Sequence, residues 1–263
     1  MKLTVKNVSP LKTLAVLMLC LAVWIPVPAN AGEITIAAAS DLTFAFKDVA
    51  SRFEKQTSSS VKLSYGSSGN FFSQIQNGAP FDLFFSADID YPKKLEAAGL
   101  AEPGTIYPYA TGKLVLWVPT QSKVDLSRGL PVLLDPGINK IAIANPAHAP
   151  YGRAAVAAMQ HEGTYDKVKD KLVLGENISQ TAQFVESGNA EVGFLALSLA
   201  VAPVMKNKGR YVEIPSADYP PIIQAAVILK SSHNKDLAQQ FLKFLKEPES
   251  VALMEQYGFT VPK

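Results

Sequence analysis

Cysteine is all but missing from the 263-residue sequence: the one present, Cys20, lies in an N-terminal apolar stretch. Once that stretch is removed no thiol remains, which excludes a disulfide framework and a thiolate metal site and leaves packing alone to hold the fold. Histidine is scarce too, at three residues. No His-Glu-x-x-His pattern occurs, and His148 and His161 are too far apart in sequence to form a single helical pair, so a zinc hydrolase is excluded. An excess of one charge is also lacking. Of the 25 Lys and Arg, Lys2, Lys6 and Lys12 fall in a leader without Asp or Glu, which leaves 22 basic residues against 23 acidic ones beyond Ala31. With no Lys/Arg run able to neutralise successive phosphates, no nucleic-acid partner is expected. At 48% hydrophobic and 18% charged residues, the chain is equally unlike a disordered one.

Residues 1–31 run from that basic start through the uncharged stretch Leu14 to Ile25 and on to Pro26, Pro28 and Ala29-Asn30-Ala31. This is the pattern of a secretory signal peptide cut before Gly32. Its apolar stretch is shorter than the roughly 20 residues of a membrane-spanning helix. Leu19 occupies the place where a lipoprotein signal wants a small residue before its cysteine, so lipidation is not expected and the mature chain is expected to begin at Gly32, in the periplasm.

Beyond Gly32, β-type runs recur at Ile34 to Ala39, Val61 to Tyr65, Leu83 to Phe85, Leu114 to Val118, Ile141 to Ala144, Val192 to Leu195 and Ala225 to Leu229. Helical spacing separates them: Leu42, Phe46, Val49 and Phe53 in one stretch, Val156 and Met159 in another, Leu237, Phe241 and Leu245 in a third. Alternating strands and helices predict an α/β fold with mostly parallel sheets flanked by helices. The Gly-, Pro- and Ser-rich stretch from Pro119 to Asn139 reads as loop with one short helix. No short-period repeat or low-complexity tract appears.

Four strand-to-helix loops carry the functional signal, because ligands of open α/β sheets gather beyond the carboxyl ends of the strands, where helix N-termini present unpaired amides. The first is Ala37-Ala38-Ala39-Ser40-Asp41-Leu42, with Ser40 or Asp41 expected as the helix cap. The second is Gly66-Ser67-Ser68-Gly69-Asn70, and the third runs from Asn145 to Gly152, where Pro150 lacks its own N–H but leaves those of Tyr151 and Gly152 free. The fourth is Glu176-Asn177-Ile178-Ser179-Gln180. Any one of them is an ordinary cap; four together describe an anion site built from hydroxyls and oriented amides, with helix dipoles in place of a countercharge.

Ala37-Ala38-Ala39-Ser40-Asp41-Leu42 and Gly66-Ser67-Ser68-Gly69 of the first two loops, together with Asn77-Gly78-Ala79-Pro80-Phe81-Asp82-Leu83-Phe84-Phe85-Ser86-Ala87-Asp88, Gly112-Lys113-Leu114-Val115-Leu116-Trp117, Ala149-Pro150-Tyr151-Gly152 and Tyr257-Gly258-Phe259, resemble the periplasmic molybdate-binding proteins of ABC importers over nearly the whole mature chain. The resemblance implies a two-lobed periplasmic-binding-protein fold of type II, with the ligand cleft between lobes. Lobe I is expected at 32–112 plus 224–263 and lobe II at 113–223, with crossings near Thr111 to Lys113 and Ile222 to Gln224. It further implies a receptor that captures molybdate or tungstate, needs no cofactor, works as a monomer and delivers its ion to an inner-membrane permease. Carried over residue by residue, Ser40 and Ser68 supply hydroxyls and amides, Tyr151 and Ile178 supply backbone N–H groups, and Asp41 is a further candidate. All of these would touch the oxygens of the oxyanion, not the metal itself. Several members use a tyrosine hydroxyl just after the strand Gly193-Phe194-Leu195; here that position is Ala196, so the fifth donor must come from the Asp41 amide, the Tyr151 side chain or a water, or be absent.

A site made wholly of donors suits a dianion that carries no proton, whereas hydrogenphosphate wants an acceptor. The Asp41 carboxylate is expected to turn back onto its own helix as a cap; pointing into the cleft it would favour phosphate. Arg153 and His148 are expected to stay off the ligand, Tyr107 and Tyr109 to pack, and Trp117 to belong to the core. The alternatives are a receptor for phosphate or sulfate and a secreted serine hydrolase. The hydrolase fails on its motif: a nucleophile elbow around Ser68 needs glycine where Asn70 stands. The protein is therefore expected not to be an enzyme.

Overall fold

The computed structural model describes residues 32–262; the expected signal peptide, with Cys20, lies outside the described residues. Gly32 onward forms one compact unit built on two five-stranded sheets. In the first, β1 (Glu33–Ala39) pairs in parallel with β2 (Ser60–Gly66) and β3 (Leu83–Ser86). There β10 (Ile222–Ile228) runs antiparallel to β3 and to the edge strand β4 (Tyr107–Gly112). The second repeats the plan. Its β6 (Ile141–Ala144) pairs in parallel with β7 (Leu172–Gly175) and β8 (Val192–Ala196), and β5 (Leu114–Pro119) runs antiparallel to β8 and to the edge strand β9 (Gly209–Glu213). Each sheet is thus mixed: the βαβ half is parallel as expected, and the other half is antiparallel. The chain passes from the first sheet to the second at Lys113 and returns through 214–221.

Strand alternation decides which helices each sheet face receives. In the first sheet Ile34, Ile36, Leu83, Phe85 and Ile228 enter the main core, while Ala37, Phe84 and Val227 face a smaller core with Phe71, Ile75 and Leu95. The main-core face is covered by α1 (Ala45–Thr57), α8 (Lys235–Phe244) and α9 (Pro248–Gln256); the opposite face by α2 (Ser68–Gln76) and α3 (Asp90–Ala97). Phe46 meets Phe85 edge-on at 4.8 Å, and Phe241 meets Phe53 at 5.1 Å. Such pairs are worth about 0.5–1.5 kcal/mol each beyond burial. Trp117 is fully buried in β5, as expected for a core residue.

In the second sheet α4 (Pro150–His161) and α6 (Ile178–Glu186) follow β6 and β7, with the short α5 (Tyr165–Val168) between them. A single turn, α7 (Leu197–Ala200), leaves β8. The stretch between β5 and β6 carries two short 3-10 turns, Leu126–Arg128 and Leu130–Leu134. The same βαβ order in both sheets puts strand-to-helix loops at the carboxyl ends of β1, β2, β6 and β7.

Candidate functional site

These four loops converge. Ser40, Asp41, Ser67, Ser68, Ala149, Pro150, Tyr151 and Ile178 line one cleft, closed by Ala39, Gly66 and Ala87. All five residues expected at the site are buried around it. Its enclosed free space, about 10 Å³, is far below the roughly 300–1,000 Å³ usual for organic ligands. No Lys, Arg or His lines it. A larger depression of about 550 Å³ lined by Pro119, Lys123, Asp135 and Glu191 shares no residue with the four loops.

Three backbone amides are left for a ligand. Ser68 and Ile178 are the first residues of α2 and α6, and Tyr151 is the second of α4. Among the described residues none of these three N–H groups has a protein acceptor, as helix geometry requires at a first turn. Neighbouring side chains satisfy the following amides instead: Ser67 Oγ accepts from Asn70 N at 3.3 Å, and Asn177 Oδ1 accepts from Ser179 N and Gln180 N at 3.0 Å. In α4 the cap is Ala149, which has no side-chain acceptor, and Pro150 sets the helical φ of the first residue.

The two serine hydroxyls are oriented by what they accept. Ala87 N donates to Ser68 Oγ at 2.9 Å, and Ser179 N donates to Ser40 Oγ at 3.4 Å. An oxygen already accepting from a backbone amide keeps its own proton to give away. Both hydroxyls therefore suit an acceptor-rich guest.

Asp41 departs from expectation. Its loop forms a 3-10 turn, Ser40–Leu42, before α1, and neither Ser40 nor Asp41 makes a side-chain cap. The carboxylate instead accepts at Oδ2 from Gln224 Nε2 at 2.6 Å and from the Tyr151 hydroxyl at 3.0 Å, while Oδ1 has no partner. Burial pushes its pKa up from 3.8 to about 6, against the lowering by Gln224 and Tyr151 and, less strongly, by the backbone N–H groups of Asp41 and Leu42. Burial, followed by the charge of Asp41, likewise holds the Tyr109 and Tyr151 hydroxyls well above the usual tyrosine range. Tyr109 donates to Gln224 Oε1 at 2.6 Å, which fixes the amide so that its NH₂ faces Asp41. The Tyr151 hydroxyl is thus already committed and is no substitute for the tyrosine missing at Ala196. Ala196 itself is buried at the head of α7, and Ser198 Oγ in that turn donates to Asp41 O at 2.7 Å.

Gln224, which carries no motif, and Gly112, the first residue of the Gly112-to-Trp117 run, belong to this arrangement too. A Cβ on Gly112 would run into the Tyr151 hydroxyl and the Gln224 amide, so glycine is required where the chain leaves the first sheet. For Gln224 the only pointer in the sequence is the expectation that a crossing segment lies near it.

Neither Arg153 nor His148, both expected to stay off the ligand, lines the cleft. Arg153 pairs with Asp88 and stacks on Tyr91, outside the cleft. His148 does not line it either, but it is more than packing: Nδ1 lies 2.7 Å from Ser67 Oγ, and its carbonyl accepts from Gly69 N at 2.9 Å. Asn70 Nδ2 donates to Glu176 Oε1 at 2.7 Å, and Ser179 Oγ to Ser40 O at 2.9 Å. The loops of the two sheets are therefore hydrogen-bonded to one another around the cleft.

Residues 34–260 match the family model described as bacterial extracellular solute-binding protein. The molybdate-binding protein ModA of Rhodobacter capsulatus is 40% identical over 92% of this chain and 93% of its own length. ModA of Azotobacter vinelandii is 42% identical over 88% of this chain and 91% of its own. The solved periplasmic molybdate-binding protein of Azotobacter vinelandii superposes with a TM-score of 0.83 at 38% identity, covering 88% of this chain and all of that one. A cleft of orphan amides between two βαβ sheets, carried by a chain this similar to binding proteins end to end, leaves one conclusion: the protein belongs to the bacterial extracellular solute-binding proteins and is not an enzyme.

Proposed function

We propose that this chain captures molybdate in its cleft and delivers it to an ABC-type permease, from the periplasm and as a monomer. The observation that carries the reading is the convergence of three acceptor-less amides and two outward-donating hydroxyls on one small cavity without a cationic side chain. Such a site offers donors to every oxygen of a small anion and draws its positive potential from three helix N-termini. The names of the similar ModA proteins support molybdate as that anion. Ser40 and Ser68 give hydroxyls, and Ser68, Tyr151 and Ile178 give amides. Tungstate has the same charge and shape and is expected to bind as well.

Capture proceeds by closure of two lobes, 32–112 with 224–263 against 113–223. The bonds from Ser67 and Gly69 to His148, from Asn70 to Glu176 and from Ser179 to Ser40 support this, since each would form only on closing. Closing excludes water and strengthens every hydrogen bond to the ion. His148→Ala removes one closing bond and no ligand contact. It is expected to weaken molybdate binding by roughly threefold to tenfold, the equivalent of one net hydrogen bond, read by isothermal titration calorimetry. A loss of a hundredfold or more would make His148 a ligand.

The test of the reading is thermal unfolding with molybdate, tungstate, sulfate and phosphate each in excess. A ligand at about a thousand times its dissociation constant stabilises the native state by roughly 4 kcal/mol. A rise with molybdate and tungstate alone is expected. A comparable rise with phosphate or sulfate would make the protein a receptor for that ion, and no rise with any of the four would discard the oxyanion reading.

A further inference from the structure

Among the described residues, one group of three side chains can converge on a metal ion, and it lies away from the cleft: His161, Glu162 and Asp218, with ligand atoms within 4.8 Å of one another. His161 Nδ1 is 3.4 Å from Asp218 Oδ1 and 3.7 Å from Glu162 Oε1. Ligands held at about 2.0–2.2 Å around a tetrahedral ion are separated by roughly 3.3–3.6 Å. The two measured separations are therefore close to those of a filled site, and small side-chain rotations would complete it.

Asp218 supplies a separate observation. Its side chain is only 9% exposed, and its Oδ1 faces the His161 imidazole. The Glu162 carboxylate, within 4.8 Å of it, adds a second negative charge that a cation would offset. His161 and Glu162 close the C-terminal end of α4, where the last carbonyls add negative potential that favours a cation. One imidazole with two carboxylates suits zinc and its neighbours better than magnesium or calcium, which prefer all-oxygen shells.

We propose that His161 Nδ1, Glu162 Oε1 and Asp218 Oδ1 form a binding site for a divalent cation of the zinc class, with a fourth position left to water. Asp218 lies in 214–221, the segment by which the chain returns to the first sheet, and the next residue, Tyr219, accepts from Leu114 N at 3.1 Å. A bound cation ties the end of α4 to that segment, beside the start of β5. The site is independent of the oxyanion reading, since none of its residues lines the cleft.

The experiment is a zinc titration of the purified protein without a polyhistidine tag, by calorimetry and by competition with a chromophoric chelator, with magnesium as the control ion. One equivalent of zinc is expected to bind and to raise the unfolding midpoint, and magnesium to do neither. His161→Gln, at an exposed position that tolerates change, is expected to lower zinc affinity by at least about tenfold and to abolish the shift in midpoint. Asp218→Asn should do the same if it folds. Failure of the wild type to take up zinc, or equal uptake by His161→Gln, would overturn the site and leave the cluster an ion pair only.

Discussion

Ser68→Leu is expected to lower molybdate affinity by more than about a thousandfold while the protein still folds. Two losses add. The cleft encloses only about 10 Å³ of free space, and Ser68 is buried at its wall, so a leucine side chain takes the space of the ion. The hydroxyl disappears as a donor, and a hydrogen bond to a charged group is worth about 1.5–3 kcal/mol. Folding is affected less: Ala87 N loses its acceptor, at a cost of about 1–3 kcal/mol. Ser68→Ala separates the two contributions. It keeps the space and removes only the hydroxyl, so a loss of roughly ten- to a hundredfold is expected from it. Calorimetry with molybdate, alongside the thermal midpoint of each variant, checks both. Wild-type affinity in the leucine variant would take the β2–α2 loop out of the site.

Ser68 was legible because its position follows from local rules. A β-run, a small polar turn and an apolar helical pattern identify a helix N-terminus, and the donors there are backbone atoms whose direction the helix fixes. The same holds for Tyr151 and Ile178, whose amides matter more than their side chains. Strands were legible where they are central and apolar. The three that were missed, β4, β7 and β9, are all edge strands: β4 contains Pro108 and Gly112, β7 has four residues, and β9 reads Gly-Arg-Tyr-Val-Glu. An edge strand needs only half of the ladder and one apolar face, so its sequence pattern is weak. The 3-10 turn at Ser40 was hidden for a different reason. Its residues look like caps, but their polar atoms go to Ser179, Tyr151 and Gln224, more than a hundred residues away in sequence. No local rule reports such partners, and Gln224 in a buried strand resembles an error of patterning until Asp41 and Tyr109 are seen beside it.

That distant pairing makes Asp41 the residue through which pH should act. Its native pKa of about 6 lies above the ordinary 3.8, so the folded protein holds the proton more firmly than the unfolded chain does. The associated stability is present in full below pH 4 and is lost as pH rises to 6 and beyond, roughly 3 kcal/mol in all. Asp41→Asn keeps an oxygen to accept from Gln224 and Tyr151 and has no charge to bury. Its unfolding midpoint at pH 8 is therefore expected to rise by roughly 5–10 °C over wild type, with the difference vanishing near pH 4. Binding should follow the same group. Both side-chain hydrogen bonds fall on Oδ2, so a proton on the carboxyl belongs on Oδ1, where it needs an acceptor that no described residue provides. Because Asp41 lines the cleft, a molybdate oxygen is expected to be that acceptor, with this O–H in place of the donor expected at Ala196. Ionised, the same carboxyl would face a dianion instead. Molybdate affinity in the wild type is accordingly expected to weaken by up to about tenfold per pH unit from pH 6.5 to 8.5. In Asp41→Asn, whose amide donates at every pH, it should stay level and exceed wild type at pH 8. An equal slope in both proteins would assign the titration to another group, and no slope in either would mean that Oδ1 does not meet the ion.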